Sequence, residues 1–151
     1  MGNFGLKVNR FYEIFVEQNG YVMVLEGLKN TLLIAVIGLI IGIVIGTLIA
    51  AIRTIPQYKV LPRVLNGICS VYVGIFRGTP MVVQLLVFYY VMLPLMGVKM
   101  TGVQVSMIVF GLNSAAYISE IMRSGIMSVD SGQMEAGRAV GLSYGTTMMK
   151  I

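Results

Sequence analysis

The residues best suited to bind a partner lie in the last stretch of the chain, Ser131 to Ile151. Glu135 is followed there by the small residues Ala136 and Gly137, and Gly141 comes six residues after the glutamate. Small residues let another backbone approach closely, and a charged group beside them can orient the contact. The stretch follows a hydrophobic run but is too polar to remain in a bilayer. On composition alone the pattern is typical of a plain solvated loop between membrane helices, with a docking segment as the alternative.

Polar residues that interrupt the apolar part of the chain are candidates for a functional polar site in the membrane. These candidates are Thr79, Gln84, Asn113 and Glu120. An ionisable group in or beside a membrane helix is usually functional or paired. Glu120 therefore has two interpretations, a functional site or an ion pair with Arg123 three residues later.

The composition leaves little basis for enzymatic chemistry. Histidine is absent, Asp130 is the single aspartate and Cys69 is the single cysteine, so metal centres, Ser-His-Asp catalysis and an intrachain disulfide are not expected. The phosphate-binding pattern G-x-x-x-x-G-K-[ST] is also absent, which excludes ATP binding by that route. We expect no cofactor, no metal and no nucleic acid; the net charge of +5 is more typical of cytoplasmic loops of a membrane protein.

Elements long enough to cross a membrane must position these residues. The chain is 57% hydrophobic and only 11% charged, against about 25% charged residues in soluble domains, which predicts an all-α integral membrane protein. Residues 30–52 are uncharged and can span the bilayer. The basic loop 53–63 that follows indicates the cytoplasmic side. We therefore expect the N-terminus outside, with residues 1–26 forming an external or interfacial segment that includes a short amphipathic helix.

Two further spans follow. The apolar run 64–76 is too short to span alone, so the sequence predicts a second span over 60–95 with a break at 77–80, where Pro80 interrupts the helix. A third span is expected from Val103 to about Arg123. This topology places the turn at 94–99 outside and Ser131–Ile151 in the cytoplasm.

Small residues recur at every fourth position along the first span. They are Gly38, Gly42, Gly46 and Ala50. Such spacing leaves a flat stripe on one helix face, against which another helix can pack closely. Gly111, Ala115 and Ser119 repeat the pattern in the third span.

Three stretches carry a resemblance to a known family. The spacing Glu135-Ala136-Gly137, three residues, Gly141, nine residues, Ile151 resembles the "EAA" loop, E-A-A-x3-G-x9-I-x-L-P, of type-1 ABC-importer permeases. Residues 76–85, FRGTPMVVQL, and 116–126, AYISEIMRSGI, resemble two signatures of the polar amino-acid branch of that family (the histidine, glutamine, arginine and opine group). One departure is Gly137, where the family motif has alanine; the closing L-P would lie beyond Ile151.

The resemblance implies a helical bundle of the type-1 importer permease fold over residues 27–151, incomplete and ending inside the coupling loop, so that the chain is expected to be a C-terminally truncated piece. It implies a multi-pass subunit in the inner membrane of a bacterium that carries polar amino acids. The four polar candidates each lie in a family motif or on a polar face of a span, so the resemblance makes them candidates for lining the solute route. The implied partners are a separate ABC ATPase subunit, a second permease subunit of the same or another kind, and a substrate-binding protein or domain. Rival hypotheses are a proton-coupled carrier using Glu120 and a membrane scaffold that transports nothing.

Overall fold

The computed structural model describes residues 2–150, with side chains from residue 4 onward, and this part of the chain contains helices and no strands. The helices are α1 Gly2–Tyr12, α2 Gly20–Thr54, α3 Val60–Gly78, α4 Met81–Leu95, α5 Gly102–Met127, α6 Ser131–Ala139 and α7 Tyr144–Lys150. A π-helical turn, Glu13–Glu17, follows α1, and another, Phe88–Met92, lies within α4. The all-helical class expected from the sequence is confirmed. Three helices, α2, α3 and α5, are long and apolar enough to cross a membrane.

The helix boundaries correct two details of the sequence prediction. Helix α2 begins ten residues before the uncharged run, because Glu26 and Lys29 do not interrupt a helix outside the hydrocarbon. Helix α3 has 19 residues and is long enough to span by itself, since it extends beyond the apolar run 64–76 at both ends.

The break in the second crossing is confined to Thr79 and Pro80, which are both extended (ψ 145° and 135°). Proline disfavours helical backbone in the residue before it and cannot donate the hydrogen bond that would continue the ladder. The helix therefore ends at Gly78 and restarts at Met81, so Arg77, expected in the break, still belongs to α3.

Helices α2 and α5 pack side by side along the small-residue stripe. Gly38 faces Phe110, Gly42 faces Ser114 and Gly46 faces Ile118, each pair at the same sequence offset. A constant offset means that the two helices run in the same direction. Helices α3 and α4 must therefore together return the chain across the membrane between them.

The buried core lies at this contact. Its members on the two helices are Gly38, Gly42, Gly46, Ala50, Val105, Val109, Gly111, Ala115, Ala116 and Ser119. Nearly all are small, which lets the backbones approach closely enough for dispersion forces to hold the pair in a lipid environment.

Candidate functional site

Helices α6 and α7 form a compact hairpin directly after α5. Asp130 caps α6 by accepting a hydrogen bond from the backbone N–H two residues later, at 2.7 Å. At the other end Gly141 has φ +85°. Its N–H donates to the carbonyl of Arg138, and the N–H of Leu142 donates to the carbonyl of Gly137, both at 3.0 Å. These two bonds form a Schellman motif, in which Gly141 supplies the left-handed residue that ends α6.

Gly137 is the point at which the two hairpin helices touch. A Cβ atom added there would overlap the side chain of Thr147, which is 2% exposed. Thr147 is held in place because its hydroxyl donates to the carbonyl of Ser143 at 3.0 Å. At this position, where the family motif has alanine, the glycine leaves room for the side chain of Thr147 on α7.

The outer side of the hairpin carries the charged residues. Glu135, Ala136 and Arg138 are exposed, and within the described part of the chain Glu135 has no salt bridge. This face can therefore meet another protein without first breaking an internal ion pair. Ile151, the last residue of the sequence motif, lies outside the described residues.

Tyr144 attaches the hairpin to the end of α2. Its hydroxyl donates to the carbonyl of Thr54 at 3.0 Å, across 90 residues of sequence. The hairpin is thus connected covalently to α5 and by a hydrogen bond to α2. Between these elements lies a cavity of about 490 Å³, lined by Arg53, Thr54, Gly125, Ile126, Met127, Val129, Asp130, Ser131, Met134, Tyr144 and Met148.

Three of the four polar candidates for the solute route meet at the helix break. Because Pro80 has no N–H, the carbonyl of Phe76 lacks its helical partner. The side-chain amide of Gln84 donates to that carbonyl at 2.9 Å, and that of Asn113 donates to it at 3.1 Å. Gln84, which is buried, also donates to the hydroxyl of Thr79 at 2.8 Å and accepts from Asn113 at 3.1 Å. The two amides thus satisfy the broken backbone and join α3, α4 and α5.

Glu120 lies apart from this network and is engaged in ion pairs. It accepts hydrogen bonds from Arg123 on the same helix and from Arg53 of α2, the latter at 2.6 Å. A guanidinium nitrogen of Arg77 is 3.9 Å from the same carboxylate, and that guanidinium lies 5.4 Å from the centre of the Tyr117 ring. The i,i+3 pair considered from the sequence is present. The partners from α2 and α3 could not be read from the sequence, because 67 and 43 residues separate them from Glu120.

Comparison with known proteins assigns this arrangement of helices to a family. Residues 42–151 match the family described as the binding-protein-dependent transport system inner membrane component. The chain belongs to this family. The matched region contains most of the α2–α5 contact, the broken second crossing and the hairpin.

Curated members of the family resemble the chain over most of its length. It is 39% identical over 125 residues to the arginine transport system permease protein of Bacillus subtilis, which is 83% of this chain and 55% of that protein. It is 40% identical over 119 residues to a putative glutamine transport system permease protein of Rickettsia bellii (79% and 52%), and 34% identical over 136 residues to the L-cystine transport system permease protein of Bacillus subtilis (90% and 56%). The chain spans about half the length of these relatives.

A solved structure supports the same assignment for the fold. The chain of an amino acid ABC transporter crystallised with histidines superposes with a TM-score of 0.74 at 31% identity, covering 90% of this chain and 61% of that chain. The family member described here therefore has the type-1 importer permease fold expected from its sequence.

Proposed function

We propose that this protein is a permease subunit of an ATP-driven importer of polar amino acids in the inner membrane of a bacterium. The observation that carries the proposal is the family match across residues 42–151, combined with relatives named for arginine, glutamine and cystine transport. The subunit forms no covalent bond with its solute. ATP is bound and hydrolysed by a partner ATPase subunit, and this chain holds no cofactor.

The hairpin α6–α7 serves as the coupling element for that ATPase. Its exposed Glu135 face is available for docking, while its inner face is fastened to the spanning helices. Closure of the ATPase pair would displace the hairpin, and the link from Tyr144 to Thr54 would pass the displacement to α2 as well as to α5. Since the glycines of α2 pack closely against α5, the two helices would move as one body, as in a rigid-body switch between two states.

The remaining partners follow from the same proposal. A second permease subunit, identical or paralogous, completes the solute route, and a substrate-binding protein or domain delivers the amino acid from outside. The basic residues Arg53, Lys59 and Arg63 support a cytoplasmic position for the loop between α2 and α3. The N-terminus is then external and residues 131–151 are cytoplasmic.

The polar candidates act on the solute route in two ways. The side-chain amides of Gln84 and Asn113 already donate to backbone and side-chain acceptors. These two residues therefore shape the route by holding the break at Thr79 in place. The irregular backbone of the break survives at membrane depth because protein satisfies it. Glu120 fixes the relative positions of α2, α3 and α5 near their ends on the hairpin side.

The two rival functions find less support. A proton-coupled carrier would need a carboxyl group free to exchange its proton, whereas Glu120 is bonded to two guanidinium groups. A scaffold that transports nothing would not need a broken spanning helix with a dedicated polar network.

The proposal is tested by uptake in vesicles. The permease, reconstituted with its ATPase, partner permease and binding protein, should accumulate a radiolabelled polar amino acid when ATP is supplied. Uptake should persist in the presence of a protonophore. Uptake that collapses with the protonophore and ignores ATP would favour the carrier, and partner binding with no uptake at all would favour the scaffold.

A further inference from the structure

Helix α1 precedes the family-matched region and carries an apolar face that no other part of the described chain covers. Phe4, Val8 and Phe11 recur at the spacing of one helix face, and the Phe11 ring stacks on that of Phe15 at 5.3 Å between centroids. Phe4 and Phe11 are 77% and 65% exposed. The opposite side carries Asn9, Arg10, Glu13 and Glu17. The segment is thus amphipathic and rich in aromatic rings.

A fixed corner joins this segment to the first span. Asn19 adopts a left-handed conformation with φ 56°. A Cβ on Gly20 would lie 2.6 Å from the carbonyl oxygen of Ile14, so the chain folds back tightly at this point. The Phe15 ring also meets the Tyr21 ring edge-on at 6.4 Å. The orientation of the aromatic face is therefore tied to α2.

The length of α2 places this corner at the membrane surface. A helix of 35 residues is about 52 Å long, whereas a bilayer with its headgroups is about 40–45 Å thick. With an ordinary tilt of about 20°, such a helix still rises about 49 Å, so its N-terminal end reaches the outer edge of a headgroup layer, and the chain folds back there. A corner of two residues then holds the preceding helix at headgroup level, where aromatic side chains are favoured.

We propose that α1 is an interfacial anchor, whose face of Phe4, Val8, Phe11 and Phe15 inserts at the boundary between headgroups and acyl chains of the bilayer that α2 spans. Arg10, Glu13 and Glu17 lie on the polar side, and Lys7, three residues after Phe4 and four before Phe11, lies at the edge of the apolar face. The two basic residues balance the two acidic ones. Binding therefore depends on buried apolar area and not on attraction to anionic lipids. The anchor would restrict the tilt and rotation of α2 during movements of the bundle.

The absence of tryptophan from the chain makes a direct test possible. Phe11→Trp puts a single fluorophore on the apolar face, and Leu6→Trp puts one on the opposite side, where Leu6 is 70% exposed. Each variant is placed in lipid nanodiscs of zwitterionic lipid with brominated acyl chains. Phe11→Trp should emit at shorter wavelength and be quenched by the bromolipid at least about threefold more than Leu6→Trp. Aqueous acrylamide should quench the two variants in the reverse order.

Each alternative gives a different result. Equal and strong acrylamide quenching of both variants would show a solvated helix and overturn the proposal. A Phe11→Trp signal shielded from both quenchers would show that protein covers the face, such as a second copy or a binding protein, and would also overturn it. If bromolipid quenches Phe11→Trp equally with and without anionic lipid, the result supports an anchor that depends on buried apolar area. Quenching that requires anionic lipid contradicts the proposal.

Discussion

A single methyl group added at Gly46 should force α2 and α5 apart. The new Cβ would lie 2.9 Å from the Cβ of Ile118 and 3.0 Å from the carbonyl oxygen of Ala115. Favourable carbon contacts lie at about 3.5–4.0 Å. A backbone carbonyl and a β-branched carbon cannot rotate out of the way, so the helices must separate by roughly 0.5–1 Å.

The size of the effect follows from two opposing terms. Overpacking of a close contact costs about 1–3 kcal/mol. Alanine recovers about 0.5–1 kcal/mol, because it loses less backbone freedom than glycine in a helix. The two terms differ by about 0–2.5 kcal/mol, so we expect Gly46→Ala to destabilise the complex by about 1 kcal/mol, near the middle of that range. Gly46→Leu, with a much larger side chain, should prevent correct assembly of the complex.

Thermal unfolding of the purified complex in detergent measures this prediction. Gly27→Ala is the matched control, because Gly27 is on the same helix and an added Cβ there meets nothing within 4 Å. At roughly 2–4 °C per kcal/mol, Gly46→Ala should lower the midpoint by about 2–4 °C, while Gly27→Ala should leave it unchanged or raise it. Equal midpoints for the two variants would refute the close packing of α2 on α5.

Three other changes test the hairpin and the helix break. Gln84→Leu should cost about 1–3 kcal/mol in thermal stability, because the backbone carbonyl freed by the proline loses a buried partner; a stability equal to the wild type would show that the amide network does not hold the break. Gly137→Ala should weaken co-purification of the ATPase by displacing α7, and Thr147→Ala in the same chain should restore much of it; failure of this rescue would contradict the contact. Tyr144→Phe should lower uptake per ATP hydrolysed, because only the hydroxyl that bonds to α2 is removed, whereas Tyr58→Phe, at a side chain 87% exposed, should not; equal coupling in both variants would remove Tyr144 from the transmission path.

Features that depend on local spacing could be predicted from the sequence. The glycine at position 141 signals a helix end because few residues other than glycine adopt a left-handed backbone at low cost. Pro80 signals the break for an equally local reason.

Contacts between distant parts of the chain could not be predicted from the sequence. Gln84 and Asn113 were candidates for the solute route because they are polar, but only the fold shows that both donate to the carbonyl of Phe76. Nothing in the sequence singles out Tyr144, since a tyrosine in a polar loop is ordinary. Only the fold shows its hydrogen bond to Thr54. The partner of Glu120 on α2 likewise requires the register between two helices, which no single-helix pattern contains.

The central claim is that the hairpin at residues 131–150 carries the movement of the ATPase to the spanning helices. The most direct test is the number of amino acids imported per ATP hydrolysed in vesicles containing the complete transporter. Glu135→Lys reverses the charge of the docking face, and Gly141→Asp strains the positive φ of the helix end, so each should lower this ratio at least about tenfold while membrane insertion remains normal. Glu13→Lys, the same charge reversal in the N-terminal segment, should leave the ratio unchanged. Wild-type ratios in both hairpin variants, with normal co-purification of the ATPase, would contradict the claim.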